Sequence, residues 1–237
     1  MKLGILATGT TPDELIGRYD SYANMFVKLF AAAGYQYEFE TFNVKDDEFP
    51  QSLDDFDAWI ITGSKFNVED NDPWMLRLKD IIRELDKHKT PILGICFGHQ
   101  IVADALGGKV AKNTQGWGVG LHRYQLTDHP KGVPANIESF TISAMHNYQV
   151  VEKPEKANVF AASEFCPLAA MTYGEHIMTF QAHPEFMLDY ETELLALRKG
   201  EVIPDDEADI ALASCQAPNA KTDSLELAKW MAKFITA

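Results

Sequence analysis

The sequence predicts an α/β fold in which a parallel sheet is covered by helices on both faces. Two observations support this. Short apolar runs alternate with longer amphipathic stretches through the first half of the chain, and the connections between them are short. Consecutive strands separated by a helix run parallel, and a parallel sheet buries both of its faces. A hydrophobic content of 46% in 237 residues is typical of a soluble globular protein with a core of ordinary size.

The elements of the first half follow from the period of their apolar residues. Three buried strands are predicted from short apolar runs, and a fourth strand from alternation. These strands are KLGILAT at 2–8, YEFETFNV at 37–44, DAWIITGS at 57–64 and TPILGIC at 90–96. Helices are predicted from three- and four-residue spacing at 13–33, 73–87 and 98–108, and Pro73 occupies a first-turn position.

After residue 108 the pattern changes to several short β-like runs separated by turn residues. Residues 109–182 are therefore predicted to form hairpins added to the parallel core. The final stretch, 224–237, carries one apolar stripe and is predicted to be a packing helix. The stretch 200–222 is acidic and loop-like, and Asp205, Asp206 and Glu207 within it are expected to be a solvated loop, not a metal site.

Charge and cysteine content exclude several classes of function. The formal net charge of −14 argues against nucleic acids and anionic membrane surfaces as partners. The three cysteines are odd in number and far apart, which favours a reduced, cytoplasmic setting. The start, MKLGILATGT, is too short in its apolar run for a signal peptide, and no stretch reaches the ~18 apolar residues of a membrane span.

The motif GICFGHQ at 94–100 places Cys96 between two glycines, where a predicted strand gives way to a helix. A nucleophile at such a turn projects above the sheet, and glycines fit where side chains would collide with the strand and helix. The helix N-terminus favours a thiolate, and the backbone N–H of Phe97 is free to face an oxyanion.

Two other interpretations of Cys96 remain open from this motif alone. Cys96 could be a small buried hydrophobic residue, which is the commoner role of cysteine. A metal site formed by Cys96 and His99 is the weaker alternative, because no second ligand pair follows at a suitable spacing.

The stretch TFQAHPEF supplies a candidate base for this nucleophile. His183 directly follows a β-like run, as expected of a residue at the carboxyl edge of a sheet. Pro184 keeps the backbone extended, so the side chain of Glu185 shares a side with the imidazole and can orient it. A surface His-Pro-Glu turn is the alternative for this tripeptide alone, and the pairing with GICFGHQ favours the catalytic interpretation.

The two motifs together resemble those of the class I glutamine amidotransferases over residues 1 to about 190. The resemblance implies a flavodoxin-like three-layer sandwich with a central mostly parallel sheet, added β-hairpins and C-terminal helices, as a single domain over 1–237. It also implies a triad with Cys96 as nucleophile, His183 as base and Glu185 as orienter. No metal or organic cofactor is implied.

Other positions take their expected roles from the same resemblance. The backbone N–H of Gly63 or Ser64 is expected to join that of Phe97 in an oxyanion hole. Gln100 matches a position that contacts the bound glutamyl group. The residues expected to hold the amino-acid end of the substrate are His146, Asn147 and Tyr148.

The chain departs from the common family pattern at two places. It has Gly63-Ser64 where many members have Gly-Gly, and Met145-His146-Asn147-Tyr148 at 145–148 where many have Ser-His-Gly-Asp. TGSKFNVEDNDPW and GWGVGL look closer to a stand-alone branch that includes γ-glutamyl peptidases and GMP-synthase-like proteins. Within GWGVGL, Trp117 has a packing role or forms a pocket wall.

The resemblance implies hydrolysis of a γ-glutamyl amide through a γ-glutamyl thioester at Cys96. Three functions stay open. The first is a glutaminase that passes ammonia to a separate synthetase subunit, and the second is a self-sufficient hydrolase of larger γ-glutamyl compounds. The third is a non-catalytic regulatory protein on the same scaffold. The substitutions at 64 and 145–148 favour a substrate larger than free glutamine.

Overall fold

Eleven strands and seven helices make up the computed structural model, which describes residues 1–236. The strands are β1 Lys2–Leu6, β2 Glu38–Phe42, β3 Ala58–Ile61, β4 Ile92–Ile95, β5 Lys109–Lys112, β6 Gly118–Leu126, β7 Ser139–His146, β8 Tyr148–Glu152, β9 Ala157–Ala162, β10 Ala170–Tyr173 and β11 Ile177–Phe180. The helices are α1 Asp13–Tyr19, α2 Tyr22–Ala32, α3 Pro73–His88, α4 Phe97–Ala105, α5 Leu188–Arg198, α6 Asp205–Cys215 and α7 Ser224–Ile235. None of these helices is long and apolar enough to cross a membrane.

The central sheet has nine strands in the order β2-β1-β3-β4-β11-β10-β9-β6-β7. The first five are mutually parallel, and the remaining four continue the sheet with antiparallel pairing. The order of the parallel half is that of a flavodoxin-like sheet. The α/β prediction, with hairpins added to a parallel core, is confirmed. Strands β5 and β8 form a separate two-stranded sheet.

Helices cover both faces of the sheet, which gives the three predicted layers. On one face α2 and α7 pack against the sheet. On the other face α3 and α4 do so. All four residues of β3 are buried, as a strand covered on both faces requires. Packing is tight enough that a Cβ on Gly4 would lie 2.2 Å from the Trp59 ring on the neighbouring strand.

The carboxyl ends of the parallel strands meet at one edge of the sheet. Because ligands of open α/β sheets bind in the crevice outside this edge, the loops that follow β1, β3, β4 and β11 are placed to build a site together. The antiparallel half returns to the same edge, since the N–H of His183, after β11, donates to the carbonyl of Ser143 on β7 at 2.8 Å.

The helix predicted at 13–33 is two helices. Asp20 adopts a left-handed φ of 74°, which ends α1, and Ser21 begins α2 as its N-cap. The Ser21 hydroxyl accepts the N–H of Asn24 at 3.2 Å. Short polar side chains compete with the helix for backbone hydrogen bonds, so the Asp-Ser pair interrupts an otherwise continuous apolar stripe.

The prediction of a loop at 200–222 is wrong for about half of this stretch, because Asp205–Cys215 forms α6. Asp205, Asp206 and Glu207 make the first helical turn, where their charges favour the positive end of the helix dipole. Glu207 is not simply solvated. Its carboxylate accepts the backbone N–H of Trp117 at 2.7 Å and so fixes the loop that precedes β6.

At the opposite edge of the sheet, Asp86 near the end of α3 accepts hydrogen bonds from two groups. His176 Nε2 donates at 2.9 Å, and Lys156 Nζ also donates. Burial alone would raise the pKa of Asp86, but the hydrogen bonds from Lys156 and His176 lower it below its usual value. The carboxylate therefore ties α3 to the turns before β9 and β11.

We predict that Asp86→Asn lowers the free energy of unfolding at pH 7 by about 1–2 kcal/mol, because the buried His176 and the exposed Lys156 both lose a charged acceptor. Since the folded pKa is lowered, this stabilisation exists above the unfolded value of about 3.9 and is lost as the pH falls through the folded value. Urea denaturation at pH 7 and at a series of pH values below about 3.9 measures the stabilisation and its loss. Asp80→Asn, at an exposed position on the same helix, is the control, with an expected change within about 0.5 kcal/mol. Equal effects of the two substitutions would contradict the prediction.

Candidate active site

Cys96 lies on the turn that joins β4 to α4. Its backbone has φ 53° and ψ −103°, a left-handed conformation that is strained for a residue with a side chain. Its N–H donates to the Phe180 carbonyl at 2.8 Å, and its carbonyl accepts from the N–H of Gln100 at 3.0 Å. The strand and the helix thus hold the turn from both ends and present the sulfur above the sheet.

The two flanking glycines are required by contact with their surroundings. A Cβ on Gly98 would lie 2.3 Å from the backbone oxygen of Ile61. A Cβ on Gly94 would lie 2.8 Å from the backbone oxygen of Gly98 and 2.9 Å from Thr179 Cγ2. The helix therefore starts directly against strands β3 and β4, and this close packing makes the turn as sharp as it is.

His183 and Glu185 form a buried hydrogen-bonded pair in the segment after β11. His183 Nδ1 lies 2.8 Å from Glu185 Oε1, and both side chains are almost fully buried. The ring of Phe186 stacks on the imidazole at 3.9 Å between centroids and 5° between planes. Hydrogen bonding on one edge and stacking on one face fix the ring, so Nε2 is the nitrogen left for the reacting groups.

Gly63 shows that His183 and Cys96 lie close together. A Cβ at this position would lie 2.7 Å from His183 Cε1 and 3.6 Å from the Cβ of Cys96. The segment after β3 therefore touches both residues, which come from the ends of β4 and β11. The structure brings the three residues of the predicted triad to one place.

The electrostatics of the pair favour a charged imidazole. Burial would lower the pKa of His183, but the Glu185 carboxylate and the neighbouring Cys96 sulfur raise it well above its usual value.

A second buried carboxyl group, Glu191 on α5, lies behind the pair. It accepts the backbone N–H of Gly120 at 3.0 Å. Burial raises the pKa of Glu191 to about 8. This group is therefore mainly protonated at neutral pH, and Glu185 is the carboxylate that pairs with His183.

Three backbone N–H groups are candidates for an oxyanion hole. Phe97 is the first residue of α4, so its N–H has no acceptor within the helix. Gly63 and Ser64 follow β3 on the other side of the sulfur. The Ser64 hydroxyl donates to the Thr8 carbonyl at 2.7 Å. The side chain that replaces the second glycine of the common family pattern is therefore bonded to the segment after β1.

The residues expected to contact substrate, Gln100, His146, Asn147 and Tyr148, all line one cavity with Cys96 and His183. Two of them bond to a third. Gln100 Nε2 donates to the Tyr148 carbonyl at 2.8 Å, and His146 Nδ1 donates to the same oxygen at 3.1 Å. Burial lowers the pKa of His146 to about 3, so it acts as a neutral wall.

The cavity has a volume of about 740 Å³. Its wall continues past the triad to α1 and its preceding loop on one side, and to the end of α5 on the other. Trp117 both lines the cavity and packs against the apolar cluster between α5, α6 and β6, so the two roles proposed for it coexist. The charged residues of the lining are Asp13, Glu14, Lys45, Lys65 and Arg198.

Sequence reasoning missed Gln181, which is fully buried and lies 3.7 Å from the Cys96 sulfur through Nε2. It stands two residues before His183, on the same side of an extended chain, and this alternation is the signal that could have found it. His99, by contrast, does not line the cavity, and its Nδ1 is hydrogen-bonded to Thr179 Oγ1 on β11 at 2.8 Å.

Comparison with known proteins matches residues 14–198 to the family model of class I glutamine amidotransferase. γ-Glutamyl peptidase 2 of Arabidopsis thaliana is 33% identical over 192 residues, which cover 78% of this chain and 77% of that protein. One component of the glutamine-hydrolysing GMP synthase of Saccharolobus solfataricus is 33% identical over 57% of this chain and 70% of that protein.

Among solved structures, a glutamine amidotransferase from Thermotoga maritima superimposes with a TM-score of 0.78. It is 17% identical, and 99% of each chain is covered. At this identity the likeness concerns the fold, and the family follows from the sequence matches. This chain belongs to the class I glutamine amidotransferase family.

Proposed function

We propose that this protein hydrolyses a γ-glutamyl amide with Cys96 as nucleophile, His183 as base and Glu185 as orienter. One observation carries the proposal. The strained turn at Cys96 and the buried His183–Glu185 pair meet at the carboxyl edge of the sheet, beside Gly63, in a single cavity. The family and its γ-glutamyl peptidase relatives support amidohydrolase chemistry at this edge.

In the first half-reaction the Cys96 thiolate attacks the γ-amide carbonyl. A carbon–sulfur bond forms, and the carbonyl electron pair moves to oxygen, which the N–H groups of Phe97 and of Gly63 or Ser64 face. The intermediate then collapses, and the carbon–nitrogen bond breaks as His183 gives its proton to the departing amine. The products are a γ-glutamyl thioester at Cys96 and a free amine.

In the second half-reaction water cleaves the thioester. Neutral His183 takes a proton from the attacking water, the carbon–oxygen bond forms, and the sulfur leaves as thiolate. Glutamate departs and the imidazolium–thiolate pair is restored. Glu185 holds Nδ1 throughout, so Nε2 faces the leaving amine in one step and the water in the next.

The size of the cavity favours a leaving group larger than ammonia. Its ~740 Å³ lie well within the range of sites for drug-sized ligands, about 300–1,000 Å³. The part that extends beyond the triad is walled by Thr11, Tyr22, Trp117 and Leu194, and it carries both acidic and basic groups. A γ-glutamyl peptide would fill this space, whereas glutamine would leave it to solvent.

A glutaminase that depends on a synthetase partner is the second candidate. The similarity to a component of a GMP synthase favours it. In that case the cavity mouth would face the partner, and the isolated chain would release little ammonia. A non-catalytic role on the same scaffold is disfavoured by the strain at Cys96, since a merely structural position would be better served by glycine.

We predict that Cys96→Ala lowers kcat on a γ-glutamyl substrate by at least about 10³-fold and leaves the fold intact, because alanine fits the turn but cannot attack. His183→Ala should be nearly as damaging and Glu185→Gln less so, with losses that do not add. Steady-state kinetics on folded variants measure this. Cys215→Ala is the matched control and should retain activity. Wild-type turnover by Cys96→Ala would exclude the mechanism.

We predict that iodoacetamide modifies Cys96 before the other two cysteines. Burial raises the pKa of Cys166 to about 12 and that of Cys215 to about 11, so both remain thiols at neutral pH. Cys96, by contrast, lines the cavity beside His183 at the start of α4, where the reagent can reach the sulfur. Peptide mass spectrometry of partially labelled protein gives the order, and labelling led by Cys166 or Cys215 would contradict the prediction.

We predict that the isolated protein cleaves some γ-glutamyl dipeptide or amine at least about tenfold better than glutamine in kcat/KM, a difference of about 1.4 kcal/mol. Trp117→Ala should reduce this preference by weakening the larger substrate more than glutamine. A panel of γ-glutamyl dipeptides, amines and glutamine tests both statements. If glutamine matched every member of the panel, the partner-dependent glutaminase would be the better proposal.

A further inference from the structure

We infer that Gln181 is a positioning residue for the nucleophile: its side-chain amide donates an N–H to the Cys96 sulfur, and Gln100 fixes the direction of that amide. The inference deepens the proposed function, on which it rests, by adding a residue that the triad does not include. Gln181 follows β11, is fully buried, and has its Nε2 at 3.7 Å from the sulfur.

The direction of the amide follows from a backbone carbonyl that can only accept. Gln100 Nε2 lies 2.8 Å from the Tyr148 carbonyl oxygen, so the group at this position on Gln100 must be the NH₂ donor. The same Nε2 lies 3.2 Å from Gln181, which must therefore turn its oxygen towards Gln100. The NH₂ group of Gln181 is then left to face the sulfur.

Reversal of the Gln181 amide is unfavourable at both of its ends. It would place one NH₂ group against another at Gln100, and an oxygen lone pair against the sulfur. In a buried site each lost hydrogen bond leaves a polar group unsatisfied, which is destabilising. The orientation is thus set by Tyr148, a residue outside the triad, through two glutamine side chains.

A donor aimed at sulfur favours the thiolate over the thiol. Hydrogen bonds to an ionised acceptor are roughly twice as strong as those between neutral groups. The Met145 carbonyl, 4.0 Å from the sulfur, can instead accept from a thiol. The two contacts therefore favour different forms of the sulfur. The closer contact, from Gln181, favours the reactive thiolate.

The arrangement links the nucleophile to the segment expected to hold the substrate. Tyr148 borders the cavity, and its carbonyl is the fixed end of the chain of hydrogen bonds. A substrate that shifts this carbonyl would alter the hydrogen bond between Gln100 and Gln181. The hydrogen bond from Gln181 to the sulfur would change in turn.

Several titratable groups face Cys96 from the elements around it. They are His183 and Glu185 after β11, Tyr22 on α2, Tyr124 on β6, and Cys166 before β10. Burial raises the pKa of both tyrosines well above the usual value, so they stay neutral. All of these groups remain in the variants proposed below, so a change in reactivity reports on Gln181.

The test is the pH dependence of Cys96 alkylation by iodoacetamide in folded Gln181→Met and Gln181→Glu proteins. Gln181→Met removes the donor at similar volume and should slow labelling at least about fivefold near pH 6.5 but little near pH 9.5. Gln181→Glu places a second acceptor by the sulfur and should slow labelling further at the lower pH. The acidic limb of the kcat profile should move to higher pH in the same order.

Gln149→Met is the matched control, since Gln149 is also buried but its Nε2 donates to the Phe165 carbonyl. It should label like the wild type at both pH values. Gln100→Met supplies a further variant in which Gln181 stays but loses its orienting partner, and it should give a smaller effect in the same direction.

Labelling by Gln181→Met at the wild-type rate near pH 6.5, or an equal loss at both pH values, would overturn the inference. The same holds if Gln100→Met has no effect. Because alkylation needs no substrate, the result does not depend on γ-glutamyl hydrolysis. Loss of the proposed activity with an intact Gln181 effect would contradict the function and leave the positioning role standing.

Discussion

The site depends on one steric constraint, the direct contact between the start of α4 and the strands β3 and β4. Gly98 rests against the backbone of Ile61, and Gly94 rests against Gly98, so no room exists for a looser connection. The chain must reverse within one residue, and that residue takes a left-handed conformation at Cys96. The position would suit glycine best, and the tight packing of the core compensates for the strain of placing the proposed nucleophile there.

The second level of organisation is electrostatic. Around the sulfur most polar groups are neutralised by burial: the pKa values of His99 and His146 fall to about 3, and that of Glu191 rises to about 8. The His183–Glu185 pair is the exception, because the two groups hydrogen-bond each other. A buried charge is tolerated only where a partner compensates it. Burial therefore keeps the surrounding groups neutral, and the charge is confined to the His183–Glu185 pair.

The sequence predicted the parallel core, and it placed Cys96, His183 and Glu185 in one candidate site, because both signals are local. A buried strand is a run of apolar residues, and GICFGHQ and QAHPEF each place a functional side chain beside the glycine or proline that shapes its backbone. The helix at Asp205–Cys215 was missed because its acidic first turn resembles a solvated loop until the partner of Glu207 is known. That partner, Trp117, lies 90 residues away in the chain. The orientation of the Ser64 hydroxyl towards Thr8 depends on a similar long-range contact.

The sequence predicts the residues proposed for the reaction, but it does not predict the walls of the outer cavity that would determine selectivity. The proposed attack and proton transfer require a few atoms at fixed distances, and these atoms come from the ends of adjacent parallel strands.

The outer cavity is assembled from elements distant in sequence. Arg18 on α1 pairs with Glu193 on α5, Tyr19 packs edge-on against Tyr190, and Glu207 on α6 holds the Trp117 loop. A change in any of these contacts reshapes the space for the leaving group without touching Cys96. Under the proposed function, the helices that follow β11 are therefore where selectivity for the leaving group is expected to be set.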